Sequence, residues 1–282
     1  MTSQKYTPQF SCEFFPPKTD KGFENLLKHS QTLQQTIDPA YFSVTYGAGG
    51  SDQAKTFSAV EQINAATGVS VAPHLTCIGS KKNQIADLLT QYKNQGINRL
   101  VALRGDLPEG MENPGELNFA NELISFIRET NGDHFEIEVA AYPEMHPQAI
   151  SLNEDLKNFK QKVDAGANNA ITQYFFNSDA YFRFIDDCEK RQINIPVIAG
   201  IMPITNYTGL KRFSAMCGAE IPRWIEKRLE GFGDDMESIK DFGTDVISEM
   251  TQKLLNAGVP GVHFYTLNQA DATLRIWNNL SK

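Results

Sequence analysis

The chain has 282 residues, 41% hydrophobic, 10% aromatic and 21% charged; this is ordinary globular composition, long enough to bury a large core, and it excludes disorder as the main state. Lys+Arg 26 against Asp+Glu 34 leave a formal net charge of -8, a field that repels phosphate backbones and anionic lipid, so neither nucleic acid nor a membrane is expected as a partner. A polar N-terminus, no apolar run near the roughly 18 residues of a spanning helix, and four scattered cysteines without a Cys-x-x-Cys pair predict a soluble, cytoplasmic protein with reduced thiols.

In chain order, an apolar run at 10–13 precedes a helical pattern at 21–36, and one at 41–45 precedes a helix at 53–66. The alternation continues with strand 71–75 and helix 82–94, strand 100–103 and helix 119–130, strand 136–140 and helix 153–164, and strand 170–174 and helix 179–191. Strands at 196–200 and 262–265 complete the set. Gly96, Gly166 and Gly258 each stand between a helical stretch and an apolar run, where a φ > 0 residue closes a helix. Gly96 and Gly166 lie two repeats of about 35 residues apart, room for a strand, a helix and two loops. Eight nearly all-apolar strands alternating with helices predict one domain over 1–282, a closed (β/α)8 TIM barrel rather than an open sheet. The interval of about 60 residues between strands seven and eight leaves room for two extra helices. There, Pro222 at a start and Gly231 past an end bracket Ile221, Trp224, Ile225 and Leu229, a stripe read as core packing rather than a lid or subunit contact.

Active sites of such barrels lie at the C-terminal ends of the strands. The polar residues there are Glu13, Thr45, Tyr46, His74, Arg104-Gly105-Asp106, Tyr142, Glu144, Gln173 and Tyr265. No lysine ends a strand, which removes Schiff-base chemistry, and the histidines show no His-x-His or His-Glu-x-x-His spacing, so no metal site is expected. Gly47-Ala48-Gly49-Gly50 either lets backbone approach a cofactor or is a plain loop. Glu13 lies among apolar and aromatic residues. Either desolvation raises its pKa and makes it a proton donor near neutral pH, or it is a buried carboxylate paired with an arginine from a neighbouring strand. Asp106 is either free to act or neutralised by Arg104, and His74 reads as a satisfied core histidine before a catalyst.

Seven stretches carry a resemblance. They are Glu13-Phe14-Phe15-Pro16-Pro17, Ser43-Val44-Thr45-Tyr46-Gly47-Ala48, Ala72-Pro73-His74-Leu75-Thr76-Cys77, Ala102-Leu103-Arg104-Gly105-Asp106-Leu107-Pro108, Ala140-Ala141-Tyr142-Pro143-Glu144, the pair Asp164-Ala165-Gly166-Ala167-Asn168 and Ile171-Thr172-Gln173, and His263-Phe264-Tyr265-Thr266-Leu267-Asn268. In these stretches, and over essentially its whole length, the chain resembles the single-domain bacterial 5,10-methylenetetrahydrofolate reductases. The resemblance implies an oxidoreductase of one-carbon metabolism that feeds methionine synthesis. It implies noncovalent FAD at the C-terminal face of the barrel, with NADH or NADPH and the folate using that face in turn. Thr45, Tyr46, Ala48, His74, Leu103, Arg104, Gly105, Asp106, Phe119, Ala120, Ala140, Tyr142, His146 and Ala149 would line the FAD, and Asp155, Asn158 and Lys162 would reach its ribose and diphosphate. Gln173, Phe213, Tyr265 and Gln269 would meet folate or nicotinamide. Glu13 would protonate the leaving nitrogen of methylenetetrahydrofolate, and Asp106 would stabilise the iminium cation that results. Gln161 and Gln269 depart from the pattern, standing where related chains often carry a basic residue near the diphosphate and an arginine on the folate. The resemblance further implies a homo-oligomer. The competing readings are another flavin barrel, such as an amine or proline dehydrogenase, and a barrel that binds folate or flavin without turnover.

Overall fold

A computed structural model describes residues 6–46, 53–106 and 115–281. Eight parallel strands run in chain order around a closed barrel: β1 (Gln9–Phe14), β2 (Tyr41–Val44), β3 (Val71–Thr76), β4 (Arg99–Leu103), β5 (Glu136–Ala141), β6 (Asn169–Thr172), β7 (Val197–Ile201) and β8 (Gly261–Tyr265). Pairing of β1 with β8, from Gln9 opposite Gly261 to Glu13 opposite Tyr265, closes the ring. Every predicted strand is present, with ends shifted by one or two residues.

The helices α1 (Asp20–Ile37), α2 (Gln53–Thr67), α3 (Lys82–Asn94), α4 (Ala120–Asn131), α5 (Leu152–Asp164) and α6 (Ser178–Lys190) fill the gaps between strands as expected. Gly96, Gly166 and Gly258 have φ of 75°, 112° and 80°, the left-handed values that turn the chain out of a helix. Between β7 and β8 lie α7 (Tyr207–Cys217), α8 (Arg223–Phe232) and α9 (Met236–Asn256), which are the unit's own helix and the two extra ones. Two details of that region differ from expectation. Gly231 lies inside α8, which ends at Gly233 with φ 56°. Of the apolar stripe, Ile225 and Leu229 are buried, whereas Trp224 is 59% exposed and only its edge meets Phe242. A final helix, α10 (Asp271–Asn279), follows β8 and was not anticipated.

The strands are not uniformly apolar. Their side chains alternate between two environments, as the period of two requires. Cys12, Phe14, Phe42, Val44, Leu100, Ala102, Ile137, Val139, Val262 and Phe264 pack outward with the helices in the main core. Tyr41, Ala72, Val101, Ile171 and Ile198 form a separate cluster inside the barrel. That inner cluster is small because polar side chains take much of the interior. Ser11, Ser43, Glu138 and His263 are essentially inaccessible, and His74 is buried. At the N-terminal end Arg99 pairs with Glu136 and Glu138 and lies over the Tyr41 ring at 4.5 Å. This ion cluster plugs one end of the barrel and leaves the other for the site.

Candidate active site

A cavity of about 430 Å³ opens at the C-terminal end of the barrel. Glu13, Asp106, Tyr142, His146, Gln173, Phe213 and Tyr265 all line it, joined by Tyr174, Met202, Met216 and Cys217. Seven residues anticipated from sequence therefore converge from five strands or the segments after them and from α7.

Glu13 points into the barrel because Cys12 and Phe14, on either side of it in β1, point out to the core. Its Oε2 lies 3.1 Å from His74 Nε2 and 3.5 Å from His263 Nε2, and Ser43 Oγ donates to it at 3.4 Å. His263 is held in turn by Ser11, with 2.7 Å between Ser11 Oγ and His263 Nδ1. Among the described residues no arginine pairs with it, and two histidines, from β3 and β8, stand beside it instead. The expected direction of the pKa also reverses. Burial raises it, but the charges and hydrogen bonds of His74 and His263 together outweigh burial and hold the carboxyl at about 2. Among the described residues no group of three His, Cys, Asp or Glu is placed to hold a metal ion.

Asp106 follows β4 at the cavity edge and is exposed. Arg104 does not neutralise it. Its Nε donates to the Gly105 carbonyl at 3.0 Å and its Nη2 to Gln148 Oε1 at 2.8 Å, and no ion pair joins Arg104 to Asp106 among the described residues. Beside the cavity a second group ties the end of β5 to α5. The Tyr142 and His146 rings meet edge to face at 4.5 Å, the His146 amide donates to Asp155 Oδ2 at 2.9 Å, and Lys162 Nζ donates to the Ala140 carbonyl at 2.6 Å. Burial lowers the Lys162 ammonium to about 8, against the opposing charge of Asp155. Ala149 donates its amide to the His146 carbonyl at 2.9 Å, while Asn158 and Gln161 on α5 are exposed.

The remaining anticipated residues are more dispersed. Thr45 accepts Thr56 Oγ1 on its carbonyl at 3.0 Å, and Tyr46 is half-buried against the outer core. Leu103 packs on the inner cluster at the end of β4, Phe119 is 57% exposed before α4, and Ala120 begins that helix. Ala48, with the rest of 47–52, lies outside the described residues. Gln269 does not line the cavity. It lines a neighbouring groove with Lys18 and Asn268 that shares Phe15 and Leu267 with the cavity.

Sequence reasoning missed Ser11, Ser43 and His263. The signal was the alternation itself, since Ser11 and Glu13, or His263 and Tyr265, are two apart and must share a face once the strand is assigned.

A model of the methylenetetrahydrofolate reductase family matches residues 2–281. The 5,10-methylenetetrahydrofolate reductase of Buchnera aphidicola subsp. Acyrthosiphon pisum is 43% identical over 268 residues, 95% of this chain and 90% of that protein. That of Escherichia coli K12 is 42% identical over 270 residues, 96% of this chain and 90% of that protein. Methylenetetrahydrofolate reductase (NADH) 1 of Arabidopsis thaliana is 37% identical over 284 residues, which cover 96% of this chain and 48% of the longer plant protein. Among solved structures, an uncharacterized protein from Clostridium thermocellum that binds two copies of 5-methyl-5,6,7,8-tetrahydrofolic acid aligns with a TM-score of 0.67 over 97% of this chain and 94% of that one, at 16% identity, a likeness of fold.

Proposed function

Because the chain belongs to the methylenetetrahydrofolate reductase family, and is an enzyme reducing 5,10-methylenetetrahydrofolate to 5-methyltetrahydrofolate, we propose that it draws the hydride from NADH or NADPH through noncovalently bound FAD. The observation that carries this reading is one cavity lined by two carboxylates in opposite surroundings, Glu13 backed by histidines and Asp106 exposed.

The donor set beside the cavity suits a flavin dinucleotide. Tyr142 and His146 supply aromatic faces, and Arg104 and Lys162 supply cations. These four, with Thr45, Tyr46, His74, Leu103, Gly105, Asp106, Phe119, Ala120, Ala140, Ala149, Asp155 and Asn158, are the residues that would hold FAD. When bound, FAD supplies a two-electron carrier able to accept a hydride from nicotinamide and pass it to the folate.

Opening the five-membered ring of methylenetetrahydrofolate puts a proton on the leaving nitrogen and leaves a cationic iminium. Glu13 is the group that delivers that proton. Exclusion of water by a bound folate would add to the burial that favours the neutral acid. Asp106, at the cavity edge, stabilises the iminium electrostatically. The two carboxyls thus have different tasks, one delivering a proton and one facing a cation, in different surroundings. Gln173, Phe213 and Tyr265 form the wall against which folate or nicotinamide rests, and Gln269 in the adjoining groove lies toward the folate tail.

The visible spectrum of the purified protein tests this reading. The protein should be yellow, lose its absorbance under anaerobic NADH, and recover it when methylenetetrahydrofolate is added. A colourless protein that takes up no added FAD, or one that releases only FMN, overturns the cofactor assignment.

A further inference from the structure

The ladder between β6 and β7 runs through Ala170↔Val197 and stops at Ile171↔Ile198. Above that point side chains replace backbone pairing. The Gly200 amide donates to Thr172 Oγ1 at 2.8 Å, and the Thr172 carbonyl accepts the Tyr265 hydroxyl at 2.8 Å. Tyr265 stands on β8 and reaches β6 by crossing the intervening β7. It can cross only because Gly200 has no side chain there. A Cβ on Gly200 would stand 2.8 Å from the Tyr265 ring and closer still to the Thr172 carbonyl oxygen. The ring is held on both sides, edge to face with His263 at 5.3 Å and with Tyr174 at 6.2 Å.

Thr172 is inaccessible and does not line the cavity, whereas the next residue, Gln173, does. The Gln173 amide is anchored to the Ala141 carbonyl at 2.8 Å on the β5 side. On the β7 side, the residue before it is fixed through Tyr265 and Gly200. A buried carbonyl deprived of its donor costs free energy that a local shift of the strand can recover.

We propose that Tyr265, Thr172 and Gly200 form a strut across the barrel that fixes the end of β6 and so presents Gln173 to the folate. Tyr265 is a positioning residue, its hydroxyl consumed inside the protein rather than offered to substrate. This rests on the reading that folate occupies the cavity.

Calorimetric affinity for 5-methyltetrahydrofolate and the KM and kcat for methylenetetrahydrofolate test it. Tyr265→Phe and Thr172→Val should each weaken binding and raise KM by about tenfold, the value of one lost hydrogen bond, with a smaller change in kcat. Thr172→Ser keeps the oxygen that receives the Gly200 amide and should stay near wild type. Tyr265→Phe/Thr172→Val should be no worse than its poorer single variant. Normal binding by Thr172→Val beside impaired Tyr265→Phe would mean that Tyr265 acts without the Gly200–Thr172 link, and overturns the strut. If Thr172→Val does not fold, Tyr265→Phe in a Gln173→Ala background decides the matter: silence supports the strut, and additive losses overturn it. Absence of binding by the wild type removes the folate reading itself.

Discussion

His74 Nε2 lies 3.1 Å from Glu13 Oε2, so a histidine from β3 and a carboxylate from β1 meet at the floor of the cavity. The contact fixes the sign of a pH dependence. Glu13 is held at about 2, below its ordinary value of 4.5, so it contributes stability above about pH 4.5 that disappears as the pH falls toward 2. The full shift corresponds to about 3 kcal/mol, shared between two histidines. His74→Asn should therefore be less stable than wild type at pH 6 by about 1–2 kcal/mol, with the gap closing at pH 3. Urea midpoints at the two pH values measure it, and a gap that does not change with pH would show that His74 acts by packing alone.

The other end of the barrel gives the opposite sign. Burial pushes Glu138 up to about 7 even though Arg99 opposes the shift, and Asn169 Nδ2 adds a hydrogen bond at 3.2 Å. A raised carboxylate weakens the fold as the pH climbs from about 4.5 toward 7, because the buried charge must form. Arg99→Met removes the cation and leaves Glu138 alone, at a cost of about 3–5 kcal/mol at pH 8. At pH 5 Glu138 can take a proton, and the cost should shrink. Denaturation curves at pH 5 and 8 check this.

Gln161 is exposed one position before Lys162, whose ammonium is committed to the Ala140 carbonyl. A phosphate at this helix would share the Lys162 ammonium with that carbonyl. Gln161→Arg should tighten FAD binding to apoprotein by about 1–3 kcal/mol, less where solvent screens the new charge. Fluorescence titration gives the dissociation constant, and an unchanged value would show that another group already meets the diphosphate.

The barrel was legible because local signals repeat. Each glycine at 96, 166 and 258 marks a helix end, and each apolar run after it is a strand. Glu13, Asp106, Gln173 and Tyr265 were legible as polar residues at strand ends. What surrounds them was not, since Ser11 and His263 touch across 252 positions of sequence. The sign of the Glu13 shift depended on those distant partners, so a rule based on apolar neighbours in sequence gave the wrong direction. Helix α10 escaped because no strand follows it to complete a repeat. The inward position of Lys162 depends on how α5 packs on β5, a tertiary fact that spacing along one helix does not contain.

Glu13→Gln separates the two half-reactions. Hydride transfer from NADH to FAD needs orientation but no proton on a folate nitrogen, so anaerobic NADH should bleach the variant at a near-normal rate in stopped flow. Reduction of the folate needs the leaving nitrogen protonated, and an amide cannot supply that proton. The loss should be of order 100-fold or more, and the reduced variant should persist after methylenetetrahydrofolate is added. The histidines sharpen the test, because two imidazoles stand beside the carboxyl. Glu13 lines the cavity, whereas His74 and His263 are not among its lining residues. If either imidazole could protonate the folate directly, Glu13→Gln would keep most of its folate activity, and the carboxyl would be a spacer. If both half-reactions slow equally, Glu13 holds the cluster together instead of delivering a proton. Only a selective loss of the folate step, with NADH reduction intact, fits a carboxyl that passes a proton to the folate ring.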